Sequence, residues 1–267
     1  MKIKFQFTLA LLSLLLIVSA SAQAQDKTAG TASQPKAAAT PTPAAPASTA
    51  AASAAITANT SPIDLARAAL AAQGGEKFRN LKSVVVSGSV DLYAPNSTVP
   101  VAGKFAMVLA SGDRYRLDVV SPVVKFMQIH TGQQSYSSIP NIQTPNPSKF
   151  GFGVLTKFDQ QGYVVSALPD KKKLRAFRIT DPEGNTTDFF VDPATGRVMS
   201  FSVPFQGGTF GFENKTFKEI DGVLVATSFT QRFETQQGAF FADFKVKEKD
   251  IQLNIALEDD VFAIPGQ

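Results

Sequence analysis

The side chains able to do chemistry are few. The chain holds one histidine, His130, at the end of a β-rich run, and a lone imidazole acts as ligand or base only with partners in reach. No partner set can be named for it, so His130 reads as a turn or core-edge residue. Cysteine is absent, which removes thiolate chemistry, a disulfide framework and a lipid-bearing lipobox cysteine. Asp259-Asp260 has the composition of a cation site or a carboxylate pair, but just ahead of Phe262 it suits acidic residues that cap or order the terminus. Gly151, Gly153, Gly207, Gly208 and Gly211 lack the strand-to-helix context and the G-K-[ST] that a phosphate loop needs. Neither H-E-x-x-H nor G-x-S-x-G occurs. The sequence therefore calls for no catalytic residue, no metal ligand and no cofactor. What is left is apolar: twenty-two Phe against four Tyr and no Trp. Rings in such number form core, and on a curved sheet they would also line a cavity for alkyl chains.

The elements that must position those rings are strands. Short β-rich runs at Val84 to Tyr93, Gly103 to Ala110, Tyr115 to Val120, Lys125 to His130 and Gln134 to Ser138 are separated by turn residues. Further runs cover Arg175 to Thr180, Thr186 to Val191, Val198 to Pro204 and Phe210 to Ile220. Asp221-Gly222 is a tight hairpin signal leading to two long closing strands. The total is about eleven strands in sequential order, a mainly β, up-and-down antiparallel sheet. Phe105, Met107 and Leu109 share one face with Tyr115, Leu117 and Val119, while Arg114, Arg116 and Asp118 take the other. In the last strand Phe240, Ala242, Phe244 and Val246 give way to Ile251, Leu253 and Ile255 on the opposite parity. A period of two changes phase only through a bulge, expected around Glu248 to Asp250, and such a bulge curls the sheet.

Two helical stretches accompany the strands. Ser61 as N-cap, Pro62 at the first position and a stripe of Ile63, Ala66 and Leu70 predict a helix that ends at Gly74-Gly75, with a short turn at Glu76 to Leu81. Phe150, Val154 and Phe158 recur at helical spacing and predict a short amphipathic helix from Pro147 to about Gln160, weakened by two glycines. That helix either plugs one end of the sheet or serves as a lid. The apolar faces meeting beneath it give the candidate lining: Phe105, Met107, Tyr115, Leu117, Phe150, Val154, Phe158, Phe201, Phe229 and Phe244.

Ahead of the domain stands an export signal. Lys2 and Lys4, an apolar run from Phe7 to Val18 and the Ala22-Gln23-Ala24 pattern predict a signal peptide over 1–24, cleaved after Ala24. Residues 25–60, almost wholly Ala, Pro, Thr and Ser, predict a disordered spacer, and 61–267 one globular domain. Loss of Lys2 and Lys4 takes the formal charge from +4 to +2, and the charges are interspersed, so no nucleic-acid footprint follows. Lys171-Lys172-Lys173 with Arg175 reads as a solvated turn, with an anionic membrane surface or an acidic partner as the alternative. Export to the periplasm or the extracellular space is the expected localisation.

Five stretches carry a family resemblance: Ala71-Ala72-Gln73-Gly74-Gly75-Glu76-Lys77-Phe78, Asn80-Leu81-Lys82-Ser83, Val191-Asp192-Pro193-Ala194-Thr195-Gly196, Glu219-Ile220-Asp221-Gly222-Val223 and the closing Asp259-Asp260-Val261-Phe262-Ala263-Ile264-Pro265. From Ser61 to Pro265 the chain resembles the bacterial outer-membrane lipoprotein-sorting superfamily, carrier-like proteins of the envelope. The resemblance implies an unclosed antiparallel β-barrel with a few short helices on its concave side and a cavity for lipid or lipoprotein acyl chains. It also implies a role in lipoprotein sorting, an envelope protein partner and transient membrane contact. Arg79, Arg114 and Arg116 all lack the context of the arginine that the family's carrier uses to hold its closed state. Three classes stay open: a binding module for an apolar ligand, a structural or interaction module with a filled core, and an enzyme, the last without a nameable catalytic pair.

Overall fold

The computed structural model describes residues 56–140, 144–235 and 238–266. The expected export signal over 1–24, and the spacer as far as residue 55, lie outside the described residues. The sheet has twelve strands: β1 (Ser83–Tyr93), β2 (Val101–Ala110), β3 (Arg114–Val120), β4 (Lys125–Thr131), β5 (Ser135–Ser137), β6 (Val164–Ala167), β7 (Arg175–Thr180), β8 (Thr186–Val191), β9 (Val198–Phe205), β10 (Gly208–Ile220), β11 (Val223–Thr235) and β12 (Gly238–Leu253). Their spatial order is β5-β4-β3-β2-β1-β12-β11-β10-β9-β8-β7-β6, antiparallel throughout. Two meanders are thus joined where the first strand meets the last. The sheet stays open, because β5 and β6, neighbours in sequence, stand at its opposite edges. The strand beyond the expected eleven is β6, four residues between Gly162 and Pro169 at an edge where Val164 is exposed, too short and too solvated to show a face.

The curl has a local cause. Val86 pairs with Ile251 but Gly88 pairs with Val246, so the extra residues of β12 fall at 247–250, where the parity flip predicts a bulge. The bulge lets Phe244 and Val246 on one side and Ile251 on the other all point into the same core. Opposite it stands Gly88, where any Cβ would lie inside the van der Waals shell of the Lys245 carbonyl. At the other end Asp221 (φ 52) and Gly222 (φ 79) make the tight turn between β10 and β11.

Helix α1 (Pro62–Gln73) starts where expected: Ser61 Oγ accepts from the Asp64 N–H and donates to the Asp64 carboxylate at 2.6 Å. Its buried face is Leu65, Ala66, Ala69, Leu70 and Gln73, while Ile63, expected on the stripe, is 37% exposed. Burying each leucine is worth about 1.5–3 kcal/mol, and the alanines let the helix lie close on the β6–β7 half of the concave face. A short α2 (Glu76–Arg79) follows. Ile56, ahead of α1, also packs against this core.

The segment 138–163 must travel from one edge of the sheet to the other. The continuous helix expected from Pro147 to Gln160 is absent. A 3₁₀ turn at Pro147–Lys149 is followed by one helical turn, α3 (Phe152–Leu155). The break is Gly151 (φ 53), where a Cβ would stand 2.5 Å from the Phe201 ring, and Gly153 lies against the Pro147 carbonyl. Phe150, Val154 and Phe158 all reach the core, but from three local conformations rather than one helical face.

Candidate functional site

The concave face carries two cores. One gathers α1, Phe150, Val154, Leu155 and Phe158 of the crossing segment, and the inward side chains of β7 to β10, among them Phe177, Phe189, Phe201 and Phe210. The other gathers Val86, Val90, Phe105, Tyr115, Leu117, Phe229, Phe244 and Ile251 from β1 to β3, β11 and β12. Phe212 packs against both. Between them lies a cavity of about 490 Å³, bordered by Phe150, Phe201 and Phe210 on one side and by Val86, Tyr115 and Phe229 on the other. The walls are held by ring contacts: Phe201 to Phe212 at 5.0 Å, Phe212 to Phe229 at 5.9 Å, Phe229 to Phe244 at 4.8 Å and Phe244 to Phe105 at 4.7 Å. Such pairs add about 0.5–1.5 kcal/mol each beyond their burial, so the space does not simply collapse.

Of the ten residues predicted to line a cavity, Met107, Tyr115, Phe150, Phe201 and Phe229 border this one. Phe105, Leu117 and Phe244 are buried further along the strands, in filled core. Val154 and Phe158 turn toward α1 and the β7 to β9 side chains. Sequence reasoning missed Val86, Phe210 and Phe212, although Phe210 and Phe212 share a strand parity, and Phe212 pairs across the sheet with Phe201.

A buried polar network anchors the start of the crossing segment. The Thr144 N–H donates to Gln128 Oε1 at 2.7 Å, which fixes that amide's orientation. Gln128 Nε2 must then be the donor toward His130 Nε2 at 2.6 Å, and also toward the Thr144 carbonyl at 2.8 Å. The imidazole proton therefore sits on Nδ1 and is donated to Ser135 Oγ at 2.6 Å. A histidine that donates to a serine is in the wrong tautomer to take its proton, so the pair is a strut rather than a nucleophile and its base. Burial holds the His130 pKa below its ordinary value of 6.5, with the Thr144 backbone partly opposing. Burial likewise pushes the Tyr115 hydroxyl upward, a hydrogen bond with Thr144 pulling back and Asp118 adding to the rise. Both groups stay neutral at neutral pH, and of the two Tyr115 borders the cavity.

The remaining candidates take structural places. Arg114 lies over the Phe262 ring at 5.0 Å and 3.7 Å from Asp259, tying the closing turn to β3. Lys171 to Lys173 form an exposed turn. Among the described residues no group of three or more His, Cys, Asp or Glu is arranged to hold a metal ion. No described helix is long and apolar enough to cross a membrane.

No family model matches the chain, and no curated protein matches it in sequence. Solved structures do. A LolA superfamily protein from Nitrosomonas europaea is similar at a TM-score of 0.50 and 11% identity, over 77% of this chain and 98% of that one. A putative outer membrane lipoprotein-sorting protein domain from Vibrio parahaemolyticus gives 0.44 and 12%, over 74% and 97%. A DUF1329 family protein from Desulfovibrio piger gives 0.44 and 10%, over 76% and 98%. At such identities the likeness is one of architecture. The open antiparallel half-barrel of this chain is thus the fold of the LolA superfamily protein from Nitrosomonas europaea.

Proposed function

We propose that the chain is an exported, soluble envelope protein that holds a lipid, the acyl chains of a lipoprotein or a similar apolar ligand in the cavity between its two cores, as a binding module rather than an enzyme. The observation that carries this is the cavity: about 490 Å³ between walls of Phe, within the 300–1,000 Å³ common for ligand sites. A part in sorting lipoproteins to the outer membrane, with an envelope protein partner and transient membrane contact, is the finer form of the proposal. It draws on the sequence resemblance and on the fold shared with the LolA superfamily protein from Nitrosomonas europaea. The competing interaction module needs that space filled by side chains, and its best support is elsewhere, in exposed Val99, Val123 and Phe240 at hairpin tips.

Enlarging one wall residue tests the proposal. Met107 borders the cavity and is half-buried, so Met107→Trp should fold with a near wild-type melting temperature and weaken uptake of a fluorescent fatty-acyl probe. Leu117 lies directly across the β2–β3 ladder from Met107 but in filled core, so Leu117→Trp should overpack and cost about 1–3 kcal/mol. A wild-type protein that takes up no probe, and retains no lipid in native mass spectrometry when purified from its own envelope, would leave the interaction module ahead.

A further inference from the structure

The charges around the cavity are sorted. Among the described residues Arg79, Lys82, Arg114 and Lys157 border it against a single carboxylate, Asp113. The acids that neutralise two of these cations stand outside: Asp159 and Glu76 for Arg79, Asp259 for Arg114. Lys157 comes only within 3.8 Å of Asp113, and Lys82, exposed just ahead of β1, makes no ion pair among the described residues. All five bordering charges lie at one end of the sheet, where α2 leads into β1, β2 turns into β3 and the crossing segment passes. The other end of the second core is closed by the packed rings of Phe105 and Phe244. The cavity is therefore polarised, with an apolar interior and a cationic mouth.

We infer that the occupant is a single-chain amphiphile with an anionic head, a phosphate or carboxylate, its tail among the Phe rings and its head between Lys82 and Lys157. This rests on the cavity-binding reading above and adds the head chemistry. At about 490 Å³ the cavity lies in the lower half of the 300–1,000 Å³ common for ligand sites, a size that suits one alkyl tail. An anionic head stabilises the mouth because two lysines, one unpaired and one loosely paired, gain a partner there, whereas a cationic head meets like charge.

The test compares one tail on three heads, with the full chain and each probe below its micelle concentration: myristoyl lysophosphatidylglycerol, neutral monomyristoylglycerol and myristyl trimethylammonium. Calorimetry should show the anionic probe roughly tenfold tighter than the neutral one, as expected of two partly screened ion pairs, with the cationic probe weakest. In Lys82→Gln/Lys157→Gln the anionic preference, read as the ratio of anionic to neutral affinity within the same variant, should shrink to roughly twofold. Inorganic phosphate at millimolar concentration should displace none of the probes. Equal affinity for anionic and neutral heads, or a preference that survives the double substitution, overturns the head assignment and leaves the cavity reading standing. Displacement by inorganic phosphate makes the mouth a small-anion site and overturns the amphiphile. Binding of no probe at all sinks the cavity reading itself.

Discussion

His130 shows what a residue predicted to be unreactive is for. Its ring is buried, donates through Nδ1 to Ser135 and accepts from Gln128, whose other bonds hold Thr144 and so the start of the crossing segment. Because its folded-state pKa lies below the unfolded value of 6.5, the unfolded chain takes up the proton first on acidification. The stabilisation is then complete above about pH 6.5 and is lost as the pH falls toward the folded-state pKa. Melting temperatures measured from pH 7.5 down to 5 should fall across that window, and His130→Gln should flatten the fall while lowering stability at neutral pH by about 1–3 kcal/mol for the broken buried network. A wild-type profile as flat as the variant's would contradict this. The bonding of Ser135 and Gln128 was not legible in the sequence, since alternation puts His130 and Gln128 on one face but cannot bring Thr144, sixteen residues from Gln128, beneath them. The mouth cations were hidden for the same reason: Arg79, Lys82, Arg114 and Lys157 sit in four different local contexts and share only a place in space.

The strands were more legible than anything between them. The parity change in β12 could be read as a bulge because both halves of the strand are apolar on alternate positions, and no straight strand buries both. The glycine opposite it was silent, since its role depends on the Lys245 carbonyl across the ladder. Gly88→Ala should therefore destabilise by about 1–3 kcal/mol or more, as backbone rather than a flexible side chain must give way. Urea denaturation with an unchanged midpoint would show that the bulge can move. Alternation told which side chains face inward but not how far along the sheet each one sits. Phe105 and Met107 share a face, yet two residues separate filled core from cavity wall. The crossing segment misled by periodicity: Phe150, Val154 and Phe158 keep helical spacing, but Gly151 in a left-handed conformation breaks the run before a second turn can form.

For the whole molecule, the strand order decides where stability resides. The long β12 is hydrogen-bonded on both sides, to β1 and to β11, and ties the two meanders together, whereas β5 and β6 are short edges. Native-state hydrogen exchange should find the slowest amides in β1, β11 and β12, and faster exchange in β5, β6 and α3. Equal protection in α3 and β12 would argue against that division. The placement of β5 and β6 at opposite edges has a further mechanical result. Laid flat, twelve strands would span roughly 53 Å at about 4.8 Å spacing, while residues 138–163 could reach roughly 90 Å at about 3.4 Å each. The chain between the edges thus has contour length to spare over the span it must cross. That spare length lets the 3₁₀ turn and α3 dip into the bowl, burying Phe150, Val154, Leu155 and Phe158 there, without breaking a single rung of the sheet.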